Sequence, residues 1–197
     1  MKFQVYDDII SPTYQDVLES LISSPDLPWN WQDSMDNLPS SSDTKSGGYP
    51  QFIRDIFNNG QIFDSVLYHA TIGLVSTVVD DLIPGYHLVR TRAILHTPRA
   101  EDIKHYPPHT DCTNTGGVSA IYYSSDATGD TYLFNECDIN DKVEIDRFNH
   151  KWEPVDCVSP KKGRLIVFPS NNYHAGSPTT SERRMLINLN FMTISNL

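Results

Sequence analysis

Near its end the chain reads Arg184-Met185-Leu186-Ile187-Asn188-Leu189-Asn190-Phe191, a stretch in which polar and apolar side chains alternate. A period of two is that of a β-strand, whose successive side chains point to opposite faces of a sheet. One face carries Met185, Ile187, Leu189 and Phe191, and the other carries Arg184, Asn188 and Asn190. The stretch therefore predicts a strand that packs one face on a core and turns Arg184 to its polar side.

Arg184 is the candidate anion ligand on that polar face. A guanidinium group binds a carboxylate through two parallel hydrogen bonds, a geometry that lysine does not offer. Arg183 is in phase with the apolar residues of the strand. Arg184 is therefore the predicted carboxylate ligand, and Arg183 is the alternative.

The residues upstream predict a second strand with a histidine beyond its end. The stretch from Gly163 to Ser170 reads as a buried strand that ends at Pro169. His174 follows a few residues later, in a turn. That placement suits a ligand at the mouth of a sheet.

His109-Thr110-Asp111 supplies the other two candidate metal ligands. Residues two apart on a strand project to the same face, so His109 and Asp111 can bind one ion together. With His174 they form a set of two imidazoles and one carboxylate. Such a set leaves the opposite coordination positions open, as in non-heme Fe(II) oxygenases.

Each of these residues also has an ordinary structural explanation when it is taken singly. His109 and Asp111 fit a surface strand pair, and His174 fits a turn histidine bound to backbone. Arg184 fits an ion pair with one of the 25 acidic residues. The order, phase and strand context of the four residues together favour the metal site.

These residues resemble the 2-oxoglutarate and Fe(II)-dependent oxygenases, most closely their prolyl-4-hydroxylase-like branch. In that branch a His-x-Asp, a late His and an Arg about ten positions further on recur, and here the last interval runs from His174 to Arg184. The resemblance extends through the stretches 117–123, 129–134 and 163–170, which are similar to core strands of the family. It covers roughly residues 86 to 194.

The resemblance implies further contacts with 2-oxoglutarate. Tyr122, the first Tyr of the second core strand, takes by position the role of a second ligand to the carboxylate. His96 stands where the family often has a pocket tyrosine, in Leu95-His96-Thr97-Pro98-Arg99. Asn188 completes the predicted set. Leu186 occupies a position that is often small, which would either narrow the pocket or change how 2-oxoglutarate is held.

The fold and chemistry that the resemblance implies are those of the family. The expected fold is α+β, a double-stranded β-helix (jelly-roll or cupin-like) core with supporting N-terminal helices. Fe(II) and 2-oxoglutarate are the expected cofactors, with O2 as co-substrate and ascorbate as a supporting reductant. The expected reaction hydroxylates a substrate while 2-oxoglutarate is decarboxylated to succinate. The first substrate class is a prolyl or other protein side chain, and the second is a small molecule.

The organisation along the chain agrees with one domain over residues 1–197, with helical support and a loop in 1–85 and the β-helix core in 86–197. An early strand near Phe3–Tyr6 precedes a helix that starts at Ser11-Pro12 and runs to about Ser23. A second helix is predicted over roughly residues 63–82. Residues 25–50 read as a long irregular loop, either a lid or a segment that packs Trp29 and Trp31 on the first helix.

Charge and cysteine content limit the partners. A formal net charge of -10 opposes binding to a phosphate backbone, so nucleic acid is disfavoured as substrate. Cys112, Cys137 and Cys157 form an odd set without metal-like spacing, which favours reduced thiols. With no long apolar run or secretory pattern, we expect a cytoplasmic protein without a membrane partner. The oligomeric state and the individual substrate stay open.

A different class of function also uses this fold. A non-catalytic double-stranded β-helix can bind a ligand or partner, because one scaffold hosts many functions. Such a module has no need of three metal ligands together with an arginine. The intact set therefore favours the enzyme, and replacing Asp111 by alanine discriminates the two hypotheses.

Overall fold

Two antiparallel sheets and two helices form the structure, a computed structural model that describes residues 3–33, 49–100, 103–112, 116–137 and 150–193. The strands are β1 Gln4–Tyr6, β2 Asn30–Gln32, β3 Gln51–Asn58, β4 Gln61–Ile62, β5 Tyr86–His96, β6 Val118–Tyr123, β7 Thr131–Cys137, β8 Pro154–Val158, β9 Leu165–Pro169, β10 Asn172–Gly176 and β11 Arg184–Thr193. The helices are α1 Pro12–Ile22 and α2 Ser65–Thr77, and α2 continues into a π-helical turn, Val78–Leu82.

The two sheets have the arrangement of a double-stranded β-helix. The larger sheet has the order β1-β9-β6-β11-β5-β3-β2, with β4 paired to β3, and the smaller has the order β10-β7-β8. The predicted fold class is confirmed by this architecture and by the similar solved structures described below. No helix in the described ranges has both the length and the apolar character needed to cross a bilayer.

The core has one layer on each side of the larger sheet. Toward the helices, Ile187 and Leu189 of β11 lie in a buried cluster with Leu18 of α1. Toward the smaller sheet, Leu186 lies in a second cluster with Leu133 of β7. The alternation along β11 therefore separates the two layers, as its sequence predicts.

Both predicted helices are present and begin at capping side chains. Ser11 precedes Pro12, and its hydroxyl accepts a hydrogen bond from the backbone N–H of Tyr14 at 3.4 Å. Asp64 caps α2 by accepting from the backbone N–H of Leu67 at 3.0 Å. A side chain in this position stabilises a helix by about 1 kcal/mol. The predicted early strand is also present, as β1.

The division of the chain into helical support and β core is wrong in one respect. The first 85 residues also contribute β1, β2, β3 and β4 to the larger sheet, so this sheet draws on both halves of the chain. Part of the stretch predicted as an irregular loop, Asn30–Gln32, is β2. Hydrogen bonding to β3 outweighs the polar, turn-like composition of that segment.

The two tryptophans of the predicted loop differ in their surroundings. Trp29 packs against the buried cluster that includes α1. Trp31 is 57% exposed and meets the ring of Phe52 edge-on. The packing alternative therefore holds for Trp29, whereas the ring of Trp31, a residue of β2, packs on Phe52 of β3. Residues 34–48 of the predicted lid lie outside the described residues.

Candidate active site

His109, Asp111 and His174 come together at the mouth between the two sheets. One ligand atom from each lies within 4.8 Å of the others. The backbones of His109 and His174 exchange two hydrogen bonds, of 3.0 and 2.9 Å. The N–H of Asp111 donates to the carbonyl of Ser170 at 3.0 Å. The three side chains are thus positioned by backbone pairing of their own segments.

This donor set fits a small divalent cation. Nitrogen and oxygen ligands bound at about 2.1 Å around one ion lie about 3–4 Å apart, so small side-chain rotations suffice here. Burial raises the pKa of Asp111, but nearby His174 and Arg90 outweigh it and hold that pKa below its usual range. Asp111 is therefore an ionised ligand. The role of the three residues as iron ligands stays a prediction.

Polar residues of β11 hold the Asp111 carboxylate in place. The side-chain amides of Asn188 and Asn190 each donate to its Oδ2 at 3.1 Å. Arg90 approaches Oδ1 at 3.5 Å and donates through Nε to Asn190 at 2.7 Å. Asn188, predicted as a contact of 2-oxoglutarate, is thus placed against Asp111. Its Oδ1 is buried and has no partner among the described residues.

Arg184 lies in the same pocket and is 2% exposed. Its Nη2 donates to Oγ1 of Thr131 at 2.6 Å, and its Nη1 donates to Nδ1 of His96 at 3.1 Å. The ring centroid of Tyr123 is 5.5 Å from the guanidinium carbon, and the Tyr123 hydroxyl donates to Thr131 at 2.6 Å. Within the described ranges, no carboxylate pairs with Arg184.

The protonation of His96 follows from these contacts. Arginine only donates, so Nδ1 of His96 accepts, and Nε2 carries the proton. Nε2 then donates to Oε1 of Gln51 at 3.1 Å. Burial, and next the positive charge of Arg184, lower the pKa of His96 well below its ordinary value. His96 is neutral, and it leaves the charge of Arg184 uncompensated.

Apolar side chains also line the pocket that contains Arg184 and the three candidate metal ligands. The cavity has a volume of about 160 Å³, and Ile94, Ile121 and Leu186 line it between polar residues. Leu186 is one of these lining residues, and its effect on the width of the pocket stays a prediction. Side chains of this kind exclude water and strengthen the electrostatic interactions of the polar groups around them.

Tyr122 does not reach this pocket, and its predicted role as a carboxylate ligand is wrong. It lies in the cluster toward the helices, and burial raises the pKa of its phenol. The register explains the difference, because Leu186 of the pocket pairs with Tyr123 and Ile187 of the core pairs with Tyr122. Tyr123 therefore occupies the side that contacts Arg184.

The remaining predictions have mixed outcomes. Arg184, His96 and Asn188 line the pocket, whereas Arg183 is exposed and lies outside it. Sequence reasoning missed Gln51, Tyr123 and Thr131. Gln51 lies on an unpredicted strand, and a threonine at the start of β7 carries no signal by itself. Tyr123 is recognised as a residue of the pocket side only when its pairing with Leu186 is known.

Comparisons with known proteins give a family and a fold for this chain. Residues 95–192, about half of the chain, match the family model described as the 2OG-Fe(II) oxygenase superfamily. The matched part contains the three candidate metal ligands, His96 and Arg184. A comparison with the curated proteins found no match.

Solved structures show the same fold at low sequence identity. The non-heme alpha ketoglutarate dependent epimerase SnoN from nogalamycin biosynthesis has a TM-score of 0.68 at 11% identity, covering 98% of this chain and 78% of that one. A Pseudomonas putida prolyl-4-hydroxylase has a TM-score of 0.58 at 20% identity, covering 98% and 92%. A prolyl hydroxylase from Trichoplax adhaerens, in complex with a hypoxia inducible factor peptide, has a TM-score of 0.58 at 14% identity, covering 98% and 84%.

Proposed function

Since the chain belongs to the 2OG-Fe(II) oxygenase superfamily, we propose that His109, Asp111 and His174 hold Fe(II) and that Arg184 binds the far carboxylate of 2-oxoglutarate. One observation carries this assignment. A buried guanidinium without a carboxylate partner among the described residues shares a pocket with the three-ligand cluster. A buried unpaired charge is costly, so the site is complementary to an anion.

The chemistry divides between the cofactors and the chain. When bound, Fe(II) and 2-oxoglutarate supply, with O2, the oxidising power to hydroxylate a C–H bond, and succinate and CO2 are released. Asp111 contributes a negative charge to the metal, and Asn188 and Asn190 fix its orientation through their amides. Thr131 and His96 accept hydrogen bonds from Arg184 and thereby aim the guanidinium.

The substrate is a protein side chain or a small molecule. Both classes occur among the similar structures, since one was solved with a peptide and another belongs to the biosynthesis of nogalamycin. A prolyl side chain is the first candidate, because the sequence resembles the prolyl-4-hydroxylase-like branch. The net charge of -10 disfavours nucleic acid. The three free thiols support a cytoplasmic location.

An anaerobic titration tests the site assignment. Metal-free protein receives Fe(II) and then 2-oxoglutarate, and the weak visible charge-transfer band of the chelate is followed. We expect Asp111→Ala to lose metal binding and Arg184→Ala to keep the metal but lose the band at moderate 2-oxoglutarate. Arg183→Ala is the matched control, because Arg183 is exposed outside the pocket, and it should behave as the wild type.

Two results would contradict the assignment. Unchanged metal content in Asp111→Ala would remove it from the ligand set, and equal bands in Arg184→Ala and Arg183→Ala would remove Arg184 from the 2-oxoglutarate site. Succinate formation by iron-loaded protein then separates the enzyme from a binding module of the same fold. Absence of succinate under all substrate conditions would favour the binding module.

A further inference from the structure

Two more arginines line the pocket, and neither belongs to the 2-oxoglutarate site described above. Arg90 and Arg92 lie on β5, in phase with His96, so all three side chains point to the same face of the sheet. Both are largely but not fully buried, with 25% and 20% of their side chains exposed. Together with Arg184 of β11, these two residues place three guanidinium groups on the face of the larger sheet that lines the pocket.

The contacts of Arg90 explain why it lies in the pocket. It approaches Asp111 at 3.5 Å and donates to Asn190 at 2.7 Å. Removing it would leave the carboxylate and the amide with one partner fewer. Arg90 thus acts on the geometry of the metal cluster.

Arg92 has hydrogen-bond donors that no described residue accepts from. Its Nε donates to Oδ1 of Asp55 at 2.8 Å, which anchors the side chain across the pairing of β3 and β5. Its two Nη groups have no partner among the described residues, and a guanidinium group offers five N–H donors. An anchored fork of this kind is preorganised for an oxyanion, since little side-chain freedom remains to be lost on binding.

Arg92 lies well away from Arg184. In the register of β5 and β11, Arg184 is opposite His96 and Asn188 is opposite Arg92. His96 and Arg92 are four residues apart on β5, which corresponds to roughly 13 Å along the strand. Arg92 is therefore level with Asn188, the residue that donates to Asp111, while Arg184 lies at the other end of the pocket.

The charges of the pocket are not balanced without a further anion. Three guanidinium groups, those of Arg90, Arg92 and Arg184, line the pocket, and only two carboxylates pair with them: Asp111 with Arg90, and Asp55 of β3 with Arg92. Fe(II) and the doubly negative 2-oxoglutarate cancel each other, so the loaded site retains an excess of positive charge. This excess stands out in a chain with a net charge of -10. Clefts that concentrate one sign of charge attract ligands of the other.

We propose that Arg92 is the substrate-docking residue and that the substrate carries an oxyanion, a carboxylate or a phosphate, which binds the two free Nη groups beside the metal cluster. This inference rests on the proposed function and narrows its substrate class. The paired donors favour a planar carboxylate or a phosphate over a neutral group. The anion fixes which substrate carbon lies nearest the metal.

The test uses the whole protein loaded with Mn(II) and 2-oxoglutarate, with inorganic phosphate and acetate as separate probes. Paramagnetic relaxation of the phosphate 31P signal and of 13C-labelled acetate carboxylate reports binding close to the metal. We expect saturable relaxation in the wild type and a loss of affinity of about tenfold or more in Arg92→Gln. Arg92→Lys keeps the charge without the fork and should be intermediate. The stronger probe identifies the source of the oxyanion.

Arg54→Gln is the matched control. Arg54 also lies on the larger sheet, donates through Nε to Asp64 at 3.0 Å and is 22% exposed, yet it pairs with the residue that caps α2 and is absent from the pocket lining. The same change of charge there should leave anion relaxation unchanged. Thermal unfolding of each variant verifies that the fold is retained, and Arg92→Lys serves if Arg92→Gln does not fold.

The outcomes separate this inference from the proposed function. A normal Fe(II)–2-oxoglutarate band with no anion relaxation in the wild type would overturn the docking role and leave the oxygenase site intact. Equal relaxation in the wild type, Arg92→Gln and Arg54→Gln would assign the anion to another place. Loss of the band in Arg92→Gln alone would place Arg92 in the cofactor site instead. Failure of the wild type to form the chelate would overturn both proposals.

Discussion

Replacing Thr131 by valine removes one oxygen on which two buried donors depend. Oγ1 of Thr131 accepts from Nη2 of Arg184 and from the hydroxyl of Tyr123, both at 2.6 Å. Valine has nearly the same shape, so the substitution leaves no cavity. Its effect on stability therefore isolates the loss of the acceptor.

The expected size follows from the two donors. A buried donor left without its partner costs about 1–3 kcal/mol. Thr131 is 1% exposed, so water does not replace the lost acceptor. With some relaxation of the Tyr123 hydroxyl, we expect Thr131→Val to lower the free energy of unfolding by about 2–4 kcal/mol.

Tyr123→Phe completes a double-mutant cycle. It removes a donor and leaves no orphan donor behind, so it should cost only about 0.5–1.5 kcal/mol. In the double variant the loss of the Thr131 hydroxyl leaves only the Arg184 guanidinium without its acceptor, because the Tyr123 hydroxyl is absent as well. The double variant should therefore cost less than the sum of the single variants, by about 1–2 kcal/mol.

Urea denaturation of the metal-free protein measures all four corners of the cycle, provided that unfolding is two-state. Thr131→Ser is the control, because it keeps the hydroxyl and should cost less than Thr131→Val. A free energy of unfolding for Thr131→Val within about 0.5 kcal/mol of the wild type, the usual range of uninvolved surface substitutions, would show that the Thr131 hydroxyl is not needed by two buried donors. Strict additivity in the cycle would equally show that Thr131 does not join Tyr123 and Arg184.

Three further predictions concern single residues of the site. Asn190→Ala should weaken Fe(II) binding about ten- to a hundredfold, since Asn190 orients Asp111; competition with a chromogenic chelator measures this, and unchanged affinity would refute it. Tyr122→Phe should leave 2-oxoglutarate affinity unchanged, because Tyr122 lies outside the pocket; a weakened chelate band would restore its predicted role. The pKa of His96 in the folded protein lies well below its value in the unfolded chain, so the unfolded state binds a proton first as the pH falls. The stability advantage of the wild type over His96→Gln should therefore shrink by about 1.4 kcal/mol per pH unit below about pH 6.5. Denaturation at several pH values measures this, and a difference that does not change with pH would contradict a neutral His96.

The sequence predicts most reliably where a strand has one apolar and one polar face. Along β11 the alternation places Arg184 on the pocket side and Ile187 in the core, and both placements are confirmed. Ser11-Pro12 likewise locates the start of α1, because a capping hydroxyl and a first-turn proline act through local geometry. Local rules of this kind do not depend on which strands pair.

The errors arise where a strand is buried on both faces. All six residues of β6, Val118–Tyr123, are buried, so its sequence shows no alternation and does not reveal which tyrosine faces Arg184. The pairing with β11 decides the question in favour of Tyr123. The sequence does not reveal the contacts of Gln51 with His96 or of Arg92 with Asp55 for a related reason, since both depend on β3 lying beside β5, a pairing between distant parts of the chain.

The pairing of β5 with β11 links the two halves of the candidate site. Arg184, the proposed ligand of the 2-oxoglutarate carboxylate, is opposite His96, and Asn188, which donates to Asp111, is opposite Arg92. A slip of one residue in β11 would turn every one of its polar side chains to the core. The apolar residues between them would enter the pocket. The shifted register is therefore unfavourable both for the packing of the core and for the polar lining of the pocket. The register that buries Ile187 is thus the register that fixes the spacing between Arg184 and the three candidate metal ligands.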